Sequence, residues 1–267
     1  MSDDMLNLHG QIAFVTGAGQ GVGRDIALLL AAHGAGGVAV NDFVLERAES
    51  VAEEVRASLG VPAVAVQADV GDIDSVQAAI AQASKSLGAI NLLVNNAGNA
   101  GPNQQMGRSP VFWESNPSDW HKFFHTNLYG VMNCCHAALP AMVEQQGGRI
   151  VTIISDAGRT GEARLAAYAA AKAAAAGFMR SIAKEVGRYM ITANCISLST
   201  IEPVMSEEDL AQFYDHPKIK QQLSQYIIRR FGAGTDVAAM VLFLCSDAGS
   251  WITGQTIPVN GGYSLAI

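Results

Sequence analysis

The chain has 267 residues, 49% of which are hydrophobic, and its formal net charge at pH 7 is −7. This length and apolar content are sufficient for one large α/β domain with a well-buried core. No basic tract is present, so nucleic acids and anionic membranes are poor candidate partners. Residues 1–5 lack the basic and apolar regions of a secretory signal, and no apolar stretch predicts a transmembrane helix. We therefore expect a cytoplasmic protein.

The cysteines and histidines predict neither disulfides nor a metal site. No cysteine belongs to a Cys-x-x-Cys pair, and we expect reduced, mostly buried thiols, as in a cytosolic protein. His121 and His125 are four residues apart, a spacing that can bind a metal, but no third ligand with matching spacing is visible. The four cysteines are Cys134, Cys135, Cys195 and Cys245.

Short apolar runs alternate with segments of helical spacing along the chain. Strands are predicted at 12–16, 37–41, 63–67, 91–95, 149–154, 193–196 and 256–259, and helices at 22–32, 44–59 and 72–87. This alternation predicts an α/β fold, a doubly wound Rossmann-type sandwich with a mostly seven-stranded parallel sheet flanked by helices. No linker or repeat divides the chain, so residues 1–267 are predicted to form a single domain.

A glycine-rich turn follows the first predicted strand. Glycines let the backbone turn tightly and approach a phosphate, and the N-terminus of the following helix offers free N–H groups. The turn therefore predicts a nucleotide-binding site. Its residues are Thr16, Gly17, Ala18, Gly19, Gln20, Gly21, Val22 and Gly23.

About twenty residues further on, Asp42 stands at the end of the second predicted strand. A carboxylate at this position can accept hydrogen bonds from the adenosine ribose hydroxyls and would repel a 2′-phosphate. No Arg or Lys follows Asp42 until Arg47, so the sequence favours NAD over NADP. The alternative is that Asp42 is a solvated acid in a loop.

Tyr168 and Lys172 lie four residues apart in an alanine-rich predicted helix, and Ser155 ends the apolar run 150–154. Residues four apart share one helix face, and an ammonium beside a phenol favours the phenolate. The Ser155 hydroxyl can bond a substrate oxygen. The three side chains therefore predict proton transfer at an oxygen-bearing carbon, although the pair alone also fits an ordinary packed helix.

Together, these motifs resemble those of the short-chain dehydrogenase/reductase family in its compact single-domain form, over residues 11–263. Asp69-Val70 resembles the family's adenine-contacting pair, Asn96-Ala97-Gly98 the motif that borders the cofactor, and Asn127 the Asn of its proton relay. The resemblance implies that NAD contacts Gly17, Gly19, Gln20, Gly21, Val22, Gly23, Asp42, Phe43, Asp69, Val70, Asn96, Ala97, Gly98, Tyr168, Lys172 and Ile201.

The resemblance also implies a role for each member of a catalytic tetrad. Tyr168 would exchange the proton of the substrate oxygen, and Ser155 would hold that oxygen. Lys172 would bind the nicotinamide ribose and stabilise the Tyr168 phenolate. Asn127 would kink its helix and connect Lys172 to solvent through a water.

One segment departs from the family pattern. The family's Pro-Gly after the sixth strand is replaced by Leu198-Ser199, and its Thr position is Pro203. The backbone of Ile201 can still bond a carboxamide, but one hydroxyl contact to the nicotinamide half is lost. The departure therefore affects cofactor affinity and lid geometry more than the type of reaction.

Two regions are expected to determine the substrate. The stretch 99–119 is longer than in the family and is either a pocket wall or a surface excursion; it contains Pro102, Pro110, Phe112, Trp113 and Pro117. The segment 202–231 corresponds to the family's lid, and its apolar residues are either one face of the pocket or part of a surface helix. These residues are Met205, Leu210, Phe213, Tyr214 and Ile219.

The leading hypothesis is an NAD-dependent oxidoreductase that interconverts a secondary alcohol and a ketone on a bulky apolar substrate. An alicyclic, aromatic or steroid-like ring or an acyl thioester would fit. An NADPH-dependent 3-oxoacyl reductase and a non-catalytic nucleotide-binding scaffold are the alternatives. The alanine-rich helix 164–189 and the tail 254–267 resemble the family's packing surfaces, which implies a homotetramer or homodimer.

Overall fold

Seven parallel strands form one sheet in the computed structural model, which describes residues 4–100 and 110–265. The strand order is β3-β2-β1-β4-β5-β6-β7, and helices cover both faces, so the predicted fold class is confirmed. The strands are β1 (Ile12–Val15), β2 (Gly37–Asp42), β3 (Ala63–Gln67), β4 (Leu92–Asn95), β5 (Gly148–Ser155), β6 (Ile191–Leu198) and β7 (Thr256–Val259).

The helices begin and end close to the predicted positions where a prediction was made. None of the described helices combines the length and apolar character needed to cross a membrane. The helices are α1 (Gly21–Ala32), α2 (Leu45–Leu59), α3 (Ile73–Leu87), α4 (His121–Phe124), α5 (Gly130–Gln145), α6 (Ala157–Thr160), α7 (Ala166–Val186), α8 (Glu207–Asp215), α9 (Pro217–Leu223) and α10 (Gly234–Cys245), with a π-helix at His125–Tyr129.

Strand β6 is longer than the sequence predicts, because buried polar residues interrupt its apolar pattern. The Asn194 side-chain amide donates to the carbonyl of Ile252 at 2.7 Å, and the Ser197 hydroxyl bonds the carboxylate of Asp156. A strand buried on both faces reads as a continuous apolar run. Thr192 and Ser197, which flank the predicted strand 193–196, break that run, so the pattern stops short of the strand ends.

The order of the strands reverses at β1, which lies between β2 and β4. The chain first builds outward from β1 to β3 and then returns to add β4 to β7 on the other side. In such sheets the loops at the carboxyl ends of the strands part at the reversal and leave a crevice. The turn after β1 and the loops after β4 and β5 therefore meet at one place.

Candidate active site

The glycine-rich turn after β1 is shaped to receive a phosphate. Gly17 has a φ of +60°, and a Cβ there would lie 2.9 Å from the Cα of Ala97. A Cβ at Gly23 would lie 2.2 Å from the carbonyl oxygen of Gly17, so helix and turn touch backbone to backbone. Gln20 precedes α1 without a side-chain cap. The uncapped N–H groups and the helix dipole suit an anionic group.

Thr16 and Asn96 hold this turn against the end of β4. The Thr16 hydroxyl accepts hydrogen bonds from the backbone N–H groups of Asn96 and Ala97, both at 3.0 Å. The Asn96 side-chain amide donates to the carbonyls of Thr16 and Gly17, also at 3.0 Å. The two loops therefore form one unit, which places Gly98 beside the turn. Sequence reasoning assigned no such role to Thr16.

A groove of about 460 Å³ runs from this turn towards the ends of β2 and β3, and we call it the switch-point groove. It brings together most of the residues predicted to contact a cofactor, and it adds Arg47 and His125, which were not predicted. Its lining includes Gly17, Gln20, Gly21, Asn41, Asp42, Phe43, Arg47, Ala68, Asp69, Val70, Asn96, Ala97, Gly98 and His125.

Asp42 is buried in the wall of this groove with 7% of its surface exposed. Its carboxylate accepts hydrogen bonds from the backbone N–H groups of Gly19 and Val44, each at 3.0 Å. These bonds fix the carboxylate beside the glycine-rich turn. Because a carboxylate has about four lone-pair positions, it retains acceptor capacity for a further donor. Asp42 is therefore a placed acceptor and not a solvated loop acid.

Ser155, Tyr168 and Lys172 meet where β5 ends and α7 begins. The hydroxyls of Ser155 and Tyr168 are hydrogen-bonded, and the Ser155 oxygen also accepts from the N–H of Ala157 at 3.2 Å. The Lys172 ammonium is buried with 4% of the residue exposed and donates to the carbonyl of Ile153 at 2.9 Å. The structure thus places Ser155 beside Tyr168, with Lys172 one turn further along α7.

The acidities of these groups differ from the sequence prediction. Burial raises the pKa of Tyr168, the hydrogen bond from Ser155 opposes this, and Glu162 adds a further rise. The Lys172 ammonium is directed to the carbonyl of Ile153 and is not among the groups that shift the pKa of Tyr168, so the expectation that Lys172 favours the phenolate stays a prediction. Burial lowers the pKa of Lys172 to about 8.

Asn127 is fully buried in the π-helix between α4 and α5. Its amide nitrogen donates to the carbonyls of Phe123 and Asn99 at 2.9 and 2.8 Å, and its oxygen accepts from the N–H of Asn99 at 3.1 Å. The local π geometry agrees with the expected helix distortion. A Cβ at Gly98 would lie 3.3 Å from both the Asn127 oxygen and the Lys172 ammonium. The water-mediated relay stays a prediction.

The unusual segment after β6 is held by Tyr226, a residue that sequence reasoning missed. The Tyr226 hydroxyl bonds the Ser199 hydroxyl and accepts from the N–H of Thr200 at 3.1 Å. Ile201 pairs with Gly232 in an isolated parallel bridge. The two hydrogen bonds of this bridge join Gly232 to the N–H of Glu202 and to the carbonyl of Thr200, so the bridge does not use the N–H or the carbonyl of Ile201. The serine that replaces the family's glycine is therefore part of a hydrogen-bonded latch.

A second cavity, of about 150 Å³, opens beside Tyr168, and we call it the Tyr168 cavity. Four aromatic residues belong to its wall: Phe112 stacks on Trp120 with ring centroids 5.0 Å apart, and Phe123 lies edge-on to Tyr168 at 6.3 Å. The stretch after Asn99 therefore contributes a pocket wall. Residues 101–109, which include Pro102, lie outside the described residues.

Part of the lid segment 202–231 forms a small hydrophobic core of its own. Phe213, Tyr214 and Ile219 join Tyr226 and Phe231 in a small hydrophobic cluster within and beside α8 and α9. The five apolar lid residues named from the sequence do not line the described wall of the Tyr168 cavity. Phe213, Tyr214 and Ile219 contribute to a core of the lid and Met205 lies exposed, so the role of these residues as a face of the pocket stays a prediction.

The four cysteines are free and buried, and sequence reasoning placed them correctly. Burial raises the pKa of Cys135 and of Cys195 to about 12, so both are neutral thiols near pH 7. No described residues form a group of three or more His, Cys, Asp or Glu that could hold a metal ion.

Comparison with known proteins places the chain in a family. The family model described as enoyl-(acyl carrier protein) reductase matches residues 17–264. The 3-oxoacyl-(acyl-carrier-protein) reductase of Staphylococcus aureus is 39% identical over 251 residues, which cover 94% of this chain and 96% of that protein.

Two solved structures extend this similarity to the fold. A 7α-hydroxysteroid dehydrogenase in complex with NADH and 7-oxo glycochenodeoxycholic acid has a TM-score of 0.86 and 33% identity, over 98% of this chain and 97% of its own. A gluconate 5-dehydrogenase from Burkholderia cenocepacia in complex with NADP and tartrate has a TM-score of 0.87 and 30% identity, over 99% of both chains. The chain therefore belongs to the short-chain dehydrogenase/reductase family and is an oxidoreductase with a nicotinamide cofactor.

Proposed function

We propose that the protein interconverts a secondary alcohol and a ketone on a bulky apolar substrate with NAD as its cofactor. The observation that carries the proposal is the hydrogen-bonded Ser155–Tyr168 hydroxyl pair at the wall of an aromatic cavity. When bound, the nicotinamide supplies or accepts the hydride. Tyr168 exchanges the proton of the substrate oxygen, and Ser155 orients that oxygen.

Lys172 and Asn127, whose side chains both lie close to Gly98, assist Tyr168 in this proposal. In its protonated state, Lys172 puts a positive charge within a buried region, where it favours negative charge on neighbouring groups. Asn127 fixes the loop that carries Asn99 and Gly98 through two hydrogen bonds to the backbone of Asn99. We propose that this arrangement binds the ribose of the cofactor and conducts the proton away from Tyr168.

The preference for NAD rests on Asp42. A fixed carboxylate beside the glycine-rich turn attracts ribose hydroxyls and repels the doubly charged 2′-phosphate of NADP. Arg47, which lines the same groove, carries a positive charge that favours a phosphate. The solved relatives include one with NADH and one with NADP, so the preference needs a direct measurement.

The substrate class follows from the Tyr168 cavity. Phe112, Trp120 and Phe123 offer ring faces and edges to a ligand, as suits an alicyclic, aromatic or steroid-like body. The relative solved with a 7-oxo bile acid supports this class. The S. aureus relative supports a second candidate, the NADPH-dependent reduction of a 3-oxoacyl thioester. The complete tetrad argues against a non-catalytic scaffold.

The experiment combines binding with turnover. NAD and NADP are first titrated against the protein, and then a panel of cyclic, aromatic and steroid alcohols and ketones is assayed with each cofactor by absorbance at the nicotinamide band. We expect NAD-linked turnover of ring substrates. A preference for NADP with 3-oxoacyl thioesters would support the second candidate. Binding of cofactor without turnover of any substrate would overturn both.

A matched variant tests the proton donor. Tyr168→Phe removes one hydroxyl and keeps the ring that packs against Phe123. We expect kcat to fall by about 10²–10⁴, while the affinity for the cofactor changes little. Full activity in this variant would refute the role of Tyr168.

We further propose a homotetramer or homodimer in the cytoplasm. A cleft of about 1060 Å³ between α5 and α7 exposes apolar groups, including Met132, Leu139 and Phe178, and a second copy of the chain would cover them. The buried free thiols support a reducing compartment. Size-exclusion chromatography with light scattering measures the mass in solution, and a monomer at micromolar concentration would refute the assembly.

A further inference from the structure

One polar contact in the switch-point groove is not explained by the roles given above. The Nε2 atom of His125 lies 3.2 Å from the Oδ2 atom of Asp69. The other oxygen of Asp69 accepts from the N–H of Gly71 at 2.9 Å. Asp69 and His125 both line the groove, and their side chains are a little more than one-third exposed. The contact with His125 therefore orients the carboxylate of Asp69 at the wall of the groove.

Close packing fixes His125 in this position. A Cβ at Gly71 would lie 2.2 to 2.4 Å from three atoms of the His125 ring, so the ring rests directly on the backbone of Gly71. Nearby, a Cβ at Gly130 would lie 2.7 Å from a methyl of Val70, and the Asn133 amide donates to the carbonyl of Val70 at 2.9 Å. The loop after β3 therefore packs against both the π-helix and the first turn of α5.

The location of Asp69 indicates which part of a dinucleotide it meets. Phosphate fits the turn after β1, and the reacting ring must lie near Tyr168 on the β5 side. The adenosine half therefore extends in the opposite direction, towards β2 and β3 and past Asp42 to Asp69. An ionised carboxylate only accepts hydrogen bonds. The exocyclic amine is the donor that adenine presents at its six-position.

We infer that His125 is a positioning residue that holds the Asp69 carboxylate as the acceptor for the adenine amine of the cofactor. The inference rests on the proposed binding of a dinucleotide in the switch-point groove. By donating to Oδ2, the ring restricts rotation of the carboxylate, so that an acceptor lone pair remains directed into the groove. The same contact places the adenine end of the cofactor next to the π-helix, which carries both His125 and Asn127.

The test compares NAD with nicotinamide hypoxanthine dinucleotide, which has a carbonyl in place of the adenine amine. Dissociation constants are measured by titration calorimetry for the wild type and for His125→Ala, His125→Gln and His121→Ala. We expect the wild type to prefer NAD, and His125→Ala to weaken NAD binding about five- to tenfold with little effect on the hypoxanthine analogue. His125→Gln retains a donor and should keep most of the discrimination.

His121 is the matched control, because it lies one turn away with its ring 5.7 Å from that of His125 and does not line the groove. His121→Ala should bind both dinucleotides as the wild type does. An equal loss of affinity for both in His125→Ala would show a purely structural role and overturn the inference. Wild-type protein that turns over NAD but binds both dinucleotides equally would overturn it too. Failure to bind either dinucleotide would overturn the proposed function as well.

Discussion

Replacing Lys172 by Met is expected to make stability less dependent on pH while it abolishes activity. The Lys172 ammonium is buried with 4% of the residue exposed, and burial lowers its pKa from 10.5 to about 8. Methionine has a similar length and carries no charge. The substitution therefore removes the ionisation and keeps most of the packing.

The direction of the pH dependence follows from the different affinities of the folded and unfolded protein for the Lys172 proton. Below pH 8, Lys172 is protonated in both the folded and the unfolded protein, and the cost of burying its charge is fully present. As the pH rises from 8 to 10.5, the folded protein loses the proton first, so the wild type gains stability. A pKa of 10.5 lowered to about 8 corresponds to ~3 kcal/mol. About 2 kcal/mol of this is recovered between pH 7 and 9.5.

Urea unfolding at pH 7, 8 and 9.5, at one protein concentration, measures this difference. The free energy of unfolding of the wild type should rise relative to that of Lys172→Met over this range, because groups common to both proteins cancel. Lys85→Met, an exposed lysine in the last turn of α3, is the control and should follow the wild type. Identical pH dependence in the wild type and in Lys172→Met would refute the reasoning, whatever the change at any single pH.

Three further predictions concern the cofactor, the latch and the substrate. Asp42→Ala should shift the ratio of NADP to NAD affinity by about tenfold or more towards NADP, measured by calorimetry; an unchanged ratio would remove Asp42 as the discriminating group. Tyr226→Phe leaves Ser199 and Thr200 without their partner and should lower the free energy of unfolding by about 1–2 kcal/mol in urea, and wild-type stability would contradict the latch. Trp120→Ala should raise KM for ring substrates about tenfold with a smaller change in kcat, whereas an effect confined to kcat would argue against a binding role.

Local patterns in the sequence predicted the sheet and much of the site. Apolar runs marked the strands, and the glycines after β1 and the carboxylate at Asp42 marked a nucleotide site at the switch point. The spacing of Tyr168 and Lys172 placed both on one helix face. The sheet and the placement of these residues were predictable because each depends on residue type and on the regular geometry of one helix or strand, or on the rule that parallel strands end at one edge. Their contacts with a cofactor stay predictions.

Other features arise only when distant segments pack together. The sequence places Asp69 and His125 far apart, and no periodicity indicates that the ring rests on Gly71. The lid residues read as a face for substrate, yet several of them pack into a cluster with Tyr226.

The amino-acid sequence by itself determined the class of fold, the glycine-rich turn and the chemical groups of the proposed reacting centre, because these follow from local propensity and side-chain chemistry. Tertiary structure alone decided the acidity of Tyr168, the direction of the Lys172 ammonium and the neighbours of Asp69. The physical reason is that pKa values and hydrogen bonds depend on burial and on distances of a few ångströms, which are set only when the helices and loops have packed against the sheet.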